Sequence, residues 1–400
     1  MKRVLVIGGS LGGLFAANLL HRAGWDVQIF ERVADELAGR GAGIVTHPAL
    51  FQTLEKIGIP VDEGIGVQVM SRVTLDRSGE AVGRYDYPQI LTAWGRLYFL
   101  LKQALPAQRY TSGKHLVSVD QEPGRVIARF ADGSVEEADL LIGADGIRST
   151  VRAQFAPETK PQYAGYVAWR GLVEECELSP HTHQTLFPHF GFCLPPHEQM
   201  LGYPVAGANN AMEPGRRRFN FVWYRPADDT ELARLCTDES GKVHENGIPP
   251  PLIRASVMAE MRAAADAILC PQFAEIIART AQPFFQPIHD LESPSLVFGR
   301  VVLLGDSAFV ARPHCGMGVT KAADDAVALT DLLNEFDIDQ GLKRYDVTRK
   351  PGGARIVTHA RHLGAYMQAQ QRTEHEREMA ERYRTPEAVM KETAVTLSFD

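Results

Sequence analysis

The chain has 400 residues, 42 basic and 49 acidic, for a net charge of −7, so it has room for two domains or one large domain with an insertion. No basic run stands out and no apolar stretch approaches the length of a bilayer span, which argues against nucleic acid or a membrane as a partner. The five scattered cysteines form no C-x-x-C pair, the histidines show no metal spacing, and Lys2-Arg3 leads into no signal-peptide pattern, so free thiols in a cytoplasmic enzyme without a metal are expected.

Val4-Leu5-Val6-Ile7 is a short apolar run that reads as a buried strand. Gly8-Gly9-Ser10-Leu11-Gly12-Gly13 follows, then a helix over residues 14–20, then a second strand over 27–30 that closes on Glu31. Gly8 permits a tight turn and Gly13 a close approach of helix to sheet. The helix start aims free N–H groups at a pyrophosphate. Glu31 suits both hydroxyls of a ribose and repels a 2′-phosphate. Ser10 stands where the middle glycine of G-x-G-x-x-G is usual. A structural glycine turn is the alternative, but the strand–turn–helix–strand context and Glu31 favour a bound dinucleotide.

The next stretch, Gly39-Arg40-Gly41-Ala42-Gly43-Ile44, is either a surface turn or a second backbone contact with the same ligand. His47-Pro48 leads into a helix over 49–57, where His47 is a helix-start residue or faces a pocket. Strands are expected over 67–73 and 83–87, a helix over 94–105, and a small antiparallel set over 116–119 and 126–130. A buried strand over 138–143 runs into Ala144-Asp145-Gly146-Ile147-Arg148-Ser149.

From about residue 162 the chain turns aromatic-rich, with strands over 163–173, 191–194, 200–204 and 219–224 that suggest a second, largely antiparallel sheet carrying a pocket. Alternation sets Asn220, Val222 and Tyr224 on one face and Phe219, Phe221 and Trp223 on the other. Tyr203, Asn220 and Tyr224 are candidate substrate contacts, with plain sheet packing as the alternative. Arg170 has two readings, an acidic-substrate contact or a structural ion pair. Residues 228–277 read as mostly helical, 284–290 as a strand, and 301–304 as a buried strand ending in Gly305-Asp306. A loop over 313–318 and a helix over 322–336 follow, and the charged tail from 345 to about 384 is expected against the outside.

Three segments now stand at the ends of buried strands: the opening turn, Asp145-Gly146 and Gly305-Asp306. A long ligand touched at three places fits a flavin dinucleotide better than a nicotinamide one. In these segments the chain resembles the single-component FAD-dependent aromatic hydroxylases, the p-hydroxybenzoate hydroxylase type. The opening unit resembles their FAD fingerprint. Asp145-Gly146-Ile147-Arg148-Ser149-Thr150-Val151-Arg152 is similar to their D-G-x-x-S-x-V-R segment, and Gly305-Asp306-Ser307-Ala308 with Pro313, Gly316, Gly318 and Asp325-Ala326 to their G-D motif. Ser10, Trp94, the segment from Tyr163 to Gly171, Arg312-Pro313-His314 and Lys321-Ala322 resemble the dihydroxypyridine hydroxylase branch. Urate hydroxylase is a second resemblance, but its catalytic Arg and Tyr would fall at Gln199 and Asn220.

The resemblance implies an α/β chain (α+β overall): a Rossmann-type FAD-binding domain with an interleaved antiparallel-sheet substrate domain. Residues 1–161 and 291–345 form the FAD-binding domain, 162–290 the substrate domain and 346–400 a helical tail. It implies tightly bound FAD, with NADH or NADPH as transient co-substrate, O2, and a small hydroxylated aromatic or heteroaromatic substrate. It further implies a flavin C4a-hydroperoxide that gives its distal oxygen to the ring, and a homodimer, which fits the relatives. Implied FAD contacts are Gly8, Ser10, Leu11, Gly12, Gly13, Glu31 and Arg32, then Ala42, Gly43, Val117, Asp145 and Gly146, then Asp306, Gly316, Met317, Gly318 and Val319. Substrate contacts are His47, Tyr203, Asn220, Tyr224 and Pro313. His314, whose unperturbed pKa suits proton exchange near neutrality, is either the catalytic base or a residue that orders its loop. An FAD reductase that uses no oxygen, or a flavoprotein that only binds or senses, is the alternative in kind.

Overall fold

A computed structural model describes residues 1–35, 37, 43–245 and 247–396; Ala42 and the glycines before it lie outside the described residues. Six strands form the first sheet, in the order Val297–Phe298, Val301–Leu303, Leu140–Gly143, Arg3–Ile7, Asp26–Phe30 and Tyr110–Thr111. All pair in parallel except the edge strand Val297–Phe298. A parallel sheet covered on both faces needs continuous apolar strands. Val4, Leu5 and Val6 meet that need with no exposure at all, and each contributes about 1.5–3 kcal/mol by burial. The helices Leu11–Arg22 and Gly318–Glu335 pack against one another on this sheet.

Register is what makes the three motifs one site. Ile7 pairs with Gly143, and Gly143 pairs with Leu303. The residues after these strands therefore emerge side by side at one carboxyl edge: Gly8, Ala144-Asp145 and Gly305-Asp306. Contact is close. A methyl group on Gly8 would stand 2.4 Å from the Ala144 carbonyl oxygen, and one on Gly13 would stand 1.9 Å from the Gly8 carbonyl oxygen.

The second sheet has nine strands and is antiparallel except where His189–Cys193 runs parallel to Val67–Leu75. Its aromatic-rich centre is Gln162–Glu174, Arg218–Pro226 and Gln199–Val205. The expected alternation holds. Phe219, Phe221 and Trp223 bury one face, together with the helices Ala255–Ile268 and Pro271–Arg279, while Val222 and Tyr224 lie on the other with Tyr166 and Tyr203. The sheet also takes Gly43–Val45, Val67–Leu75 and Ala81–Ala93 from the N-terminal stretch, and Phe309–Val310 from the third segment. Leu116–Glu122, Arg125–Phe130 and Val135–Ala138 make the small antiparallel set.

The tail corrects an expectation. The helix Ile338–Gly364 does not lie on the outside: Tyr345, Val357, Ala360 and Leu363 are buried, and Tyr366 and Met367 join the core behind the second sheet. Its charged residues form the solvent-facing stripe of an amphipathic helix, which hides the narrower apolar stripe in a composition count. Among the described residues no helix is long and apolar enough to cross a membrane.

Candidate active site

Two cavities open along the shared carboxyl edge. The first, about 320 Å³, is lined by Gly8, Ser10, Glu31, Arg32, Asp145 and Gly146 of the expected set, together with Trp94, Lys114, His115, Leu116 and Arg148. Glu31 is held rigidly: its carboxylate accepts from the Gly9 N–H at 2.8 Å and the Val33 N–H at 2.9 Å. Asp145 caps the following helix by accepting from Thr150 N at 2.7 Å and Val151 N at 3.2 Å through one oxygen, while its other oxygen is buried without a partner. Burial, opposed by those bonds, raises the Asp145 pKa. Burial and the neighbouring Arg32 charge lower the Arg148 pKa. Three cations lining one cavity, Arg32, Lys114 and Arg148, above a helix start, form an anion site of the kind a pyrophosphate fills.

The other expected residues at this end play supporting parts. Leu11 is buried in the core, Gly12 faces Leu304, and Gly13 closes on Gly8. Val117 is a correction: it is 57% exposed, and its neighbour Leu116 lines the cavity instead. Strand alternation explains the swap, since adjacent residues point to opposite faces.

The second cavity, about 220 Å³, has two walls. One is Asp306, Pro313, His314, Gly316, Gly318 and Val319; the other is the second sheet's Arg170, Phe190, Leu201, Tyr203, Val222 and Tyr224, with Gly43. Asp325 fixes the first wall. One of its oxygens accepts from Gly305 N at 3.2 Å, and Arg349 holds the other at 2.8 Å. Gly316 turns in a left-handed conformation at φ +70, and the helix begins at Gly318, so Gly318 and Val319 offer first-turn N–H groups. Met317 is buried in the core and does not line the cavity.

His314 is fully enclosed. Its Nε2 lies 2.8 Å from the Tyr166 hydroxyl, and its Nδ1 is buried without a partner. Burial first, then the Arg312 and His359 charges, hold its pKa well below 6.5. The imidazole is therefore neutral at physiological pH, which corrects the expectation of titration near neutrality. Tyr203 and Tyr224 are pushed well above the usual phenol range by burial, so they remain hydroxyl donors.

Two expected substrate contacts are placed elsewhere. Asn220 is on the same face as Val222 and Tyr224 but is fully buried against Gly43, where its Oδ1 accepts from Gly43 N at 3.0 Å. His47 lies behind the Gly316 turn. Its Nε2 is 3.1 Å from the Gly316 carbonyl and its Nδ1 3.2 Å from the Thr396 hydroxyl. Neither lines the cavity.

Burial lowers the His47 pKa from 6.5 to about 4, with the Gly316 carbonyl opposing and Arg72 assisting. The folded state thus takes up this proton later than the unfolded chain. Stability that is present above pH 6.5 is lost as the pH falls toward 4, by up to ~3 kcal/mol. We expect the melting temperature of the wild type to fall more between pH 7.5 and pH 5 than that of His47→Gln. Equal falls would exclude His47 as the source.

The C-terminal segment, which sequence reasoning missed, completes the site. Thr393 and Ala394 line the second cavity. Ala394 N donates to the His314 carbonyl at 2.9 Å. Arg72, on the strand Val67–Leu75 and with no exposure, donates to the carbonyls of Met390 at 2.7 Å, Thr393 at 2.5 Å and Ala394 at 2.9 Å. Its guanidinium also lies 4.5 Å from the Tyr87 ring centre and 5.1 Å from that of Phe190. A lone arginine in a strand carries no local signal of such a role.

A profile described as FAD binding domain-like matches residues 163–290. The 2,6-dihydroxypyridine 3-monooxygenase of Paenarthrobacter nicotinovorans is 32% identical over 92% of this chain and 91% of its own. The chain belongs to the FAD-dependent aromatic-ring monooxygenases. The solved 2,6-dihydroxypyridine-3-hydroxylase from Arthrobacter nicotinovorans superimposes on this monooxygenase with a TM-score of 0.87 and 30% identity, covering 92% of this chain and 93% of that one. FAD-dependent urate hydroxylase of Klebsiella pneumoniae is 29% identical over 87% of this chain and 85% of its own. FAD is the cofactor of this monooxygenase, and the residues present suit it. The unpartnered Asp145 oxygen, the paired arginines and the Gly318 helix start are the polar features that a dinucleotide with a flavin ring requires.

Proposed function

We propose that this monooxygenase hydroxylates an electron-rich hydroxylated ring, a dihydroxypyridine or a close analogue, using O2 and NADH or NADPH. The observation that carries the reading is the two-walled cavity, in which Tyr203 and Tyr224 face His314 and the rest of the Asp306 to Val319 loop. Residues toward the first cavity would hold the ADP end of FAD, Asp306 the ribityl hydroxyls, and the Gly316 to Val319 backbone the ring. When bound, FAD reduced by the nicotinamide co-substrate activates O2 for transfer to the substrate. The chain's own residues set up the acceptor. Tyr203 and Tyr224 donate hydrogen bonds to ring oxygens. Neutral His314, with Nε2 engaged by Tyr166, presents Nδ1 as the acceptor for a ring hydroxyl proton and so enriches the ring in electrons. Pro313, Thr393 and Ala394 exclude water, which keeps reduced FAD from wasting O2 as H2O2.

Urate is the less supported ring. Gln199 and Asn220, which stand at the urate enzymes' catalytic Arg and Tyr in the resemblance above, are both buried and both outside the cavity lining. In the test, NADH oxidation by the FAD-loaded enzyme is followed with hydroxypyridines, phenols and purines, and products are identified by mass. We expect 2,6-dihydroxypyridine to stimulate oxidation and to gain one oxygen atom. NADH consumption recovered entirely as H2O2 with every ring would defeat the proposal.

A further inference from the structure

Among the described residues that line the second cavity, Arg170 is the one with a permanent positive charge. It lies on the strand Gln162–Glu174, where alternation sets it on the same face as Tyr166 and Ala168, opposite Trp169. Its register neighbours are Val222 on one side and Phe284 on the other, neither of them charged. Among the described residues it makes no ion pair and no hydrogen bond, and its Nε is buried without a partner. It shares the cavity lining with Phe190, Leu201 and Val222. Among the described lining residues the one carboxylate, Asp306, is on the opposite wall and makes no ion pair with it.

The guanidinium is half-buried, with its Nε enclosed and no counter-charge beside it, so a ligand's anionic oxygen can replace the water on its outer nitrogens and supply the missing partner. The nearest polar neighbours point the same way. Arg170 acts electrostatically on both Tyr203 and Tyr224, whose burial keeps them as hydroxyl donors. A cation beside two neutral donors, with no carboxylate on that wall among the described residues and His314 on the opposite wall, is a receptor for an anionic oxygen. The rest of the wall is apolar, with Phe190, Leu201 and Val222, and the cavity is smaller than the ~300–1,000 Å³ of sites for drug-sized molecules. A single ring fits that description.

We propose that Arg170 is the specificity-determining residue of the substrate wall, and that the ring binds as an anion with its oxyanion or carboxylate seated on the guanidinium beside the Tyr203 and Tyr224 hydroxyls. This rests on the aromatic-hydroxylase reading above and sharpens it: the enzyme selects ionised rings over neutral ones of the same shape. An ionised hydroxyl also pushes more electron density into the ring, so selection by charge is selection for the reactive form.

The test uses FAD-loaded wild type, Arg170→Met and Arg170→Lys, with ligand affinity read from perturbation of the flavin absorbance. The probes are 2,6-dihydroxypyridine and the pair benzoate and benzamide, which differ in charge but little in shape. Wild type is expected to prefer benzoate. Arg170→Met should weaken benzoate and dihydroxypyridine by roughly 10- to 100-fold, the scale of a charge-assisted bond, while leaving benzamide nearly unchanged. Arg170→Lys should recover part of the loss. Retained FAD content and melting temperature show that the variants fold. If dihydroxypyridine fails to bind but benzoate is still preferred through Arg170, the anion site stands and the pyridine reading falls. Absence of a preference for the anion in wild type, or equal losses of benzoate and benzamide in Arg170→Met, overturns the proposal.

Discussion

Gly8→Ala should be purified as a colourless apoprotein. Gly8 has φ +106, a conformation that costs an L-residue about 1–3 kcal/mol. The added methyl would also meet backbone that cannot rotate away, 2.4 Å from the Ala144 carbonyl oxygen and 2.9 Å from the Asp145 Cα. To relieve that clash the opening turn and the Asp145 turn must part, and both line the cavity proposed for the ADP end. The expected readouts are loss of visible flavin absorbance, failure to rebind added FAD at micromolar concentration, and a lowered melting temperature. Gly24→Ala is the control. Gly24 has φ +85 but nothing within 4 Å of an added methyl, so its variant should lose about 1 kcal/mol of stability and keep its flavin. A yellow, stoichiometric Gly8→Ala protein would show that the two turns do not act as one site.

Arg72→Met should release the C-terminal segment and uncouple the enzyme. The substitution leaves the carbonyls of Met390 and Thr393 and the Gln89 side-chain oxygen without their donor, and takes one of two donors from the Ala394 carbonyl, which keeps the Gln89 amide. Each buried acceptor left unpaired costs about 1–3 kcal/mol, and the segment can avoid most of that only by moving to water. Once it moves, Thr393 and Ala394 no longer close the cavity, and His314 loses the bond from Ala394 to its carbonyl. Limited proteolysis should then clip the last residues readily. The fraction of NADH oxidation appearing as H2O2 should rise several-fold, with FAD still bound. Arg72→Lys should not restore the wild type, because one ammonium cannot span four acceptors in a planar fan. Unchanged proteolysis and unchanged coupling in Arg72→Met would show that the segment is held by other means.

What could be read in advance depended on how local the cause was. The opening turn, Asp145-Gly146 and Gly305-Asp306 were legible because a glycine at a strand end and a carboxylate beside it act within a few residues of chain. Face alternation from Phe219 to Tyr224 was legible for the same reason. The roles of His47, Asn220 and Arg72 were not, since each depends on a partner more than a hundred residues away: Gly316, Gly43 and Ala394. For Arg170 the sequence leaves two fates open, because whether a carboxylate lies beside it is decided only in three dimensions. His314 was found by its place in the loop, yet its pKa follows from enclosure by Tyr166 and the tail helix, which no neighbouring residue announces. There a methyl on Gly364 would stand 2.7 Å from the His314 Nε2.

The mixed origin of the nine-stranded sheet bears on how specificity in this fold can be changed. Val67–Leu75 pairs with His189–Cys193, and Gly43–Val45 pairs with Ala81–Ala93, so the wall facing the ring is woven from distant parts of the chain. Such pairings close long loops and form late in folding. A stretch such as 162–290 cannot then be moved as a cassette into a homologue: the graft would arrive without its edge partners, and the host would be left with an exposed strand. Exchanging ring preference between such enzymes is a matter of single side chains on an intact weave, not of swapped blocks.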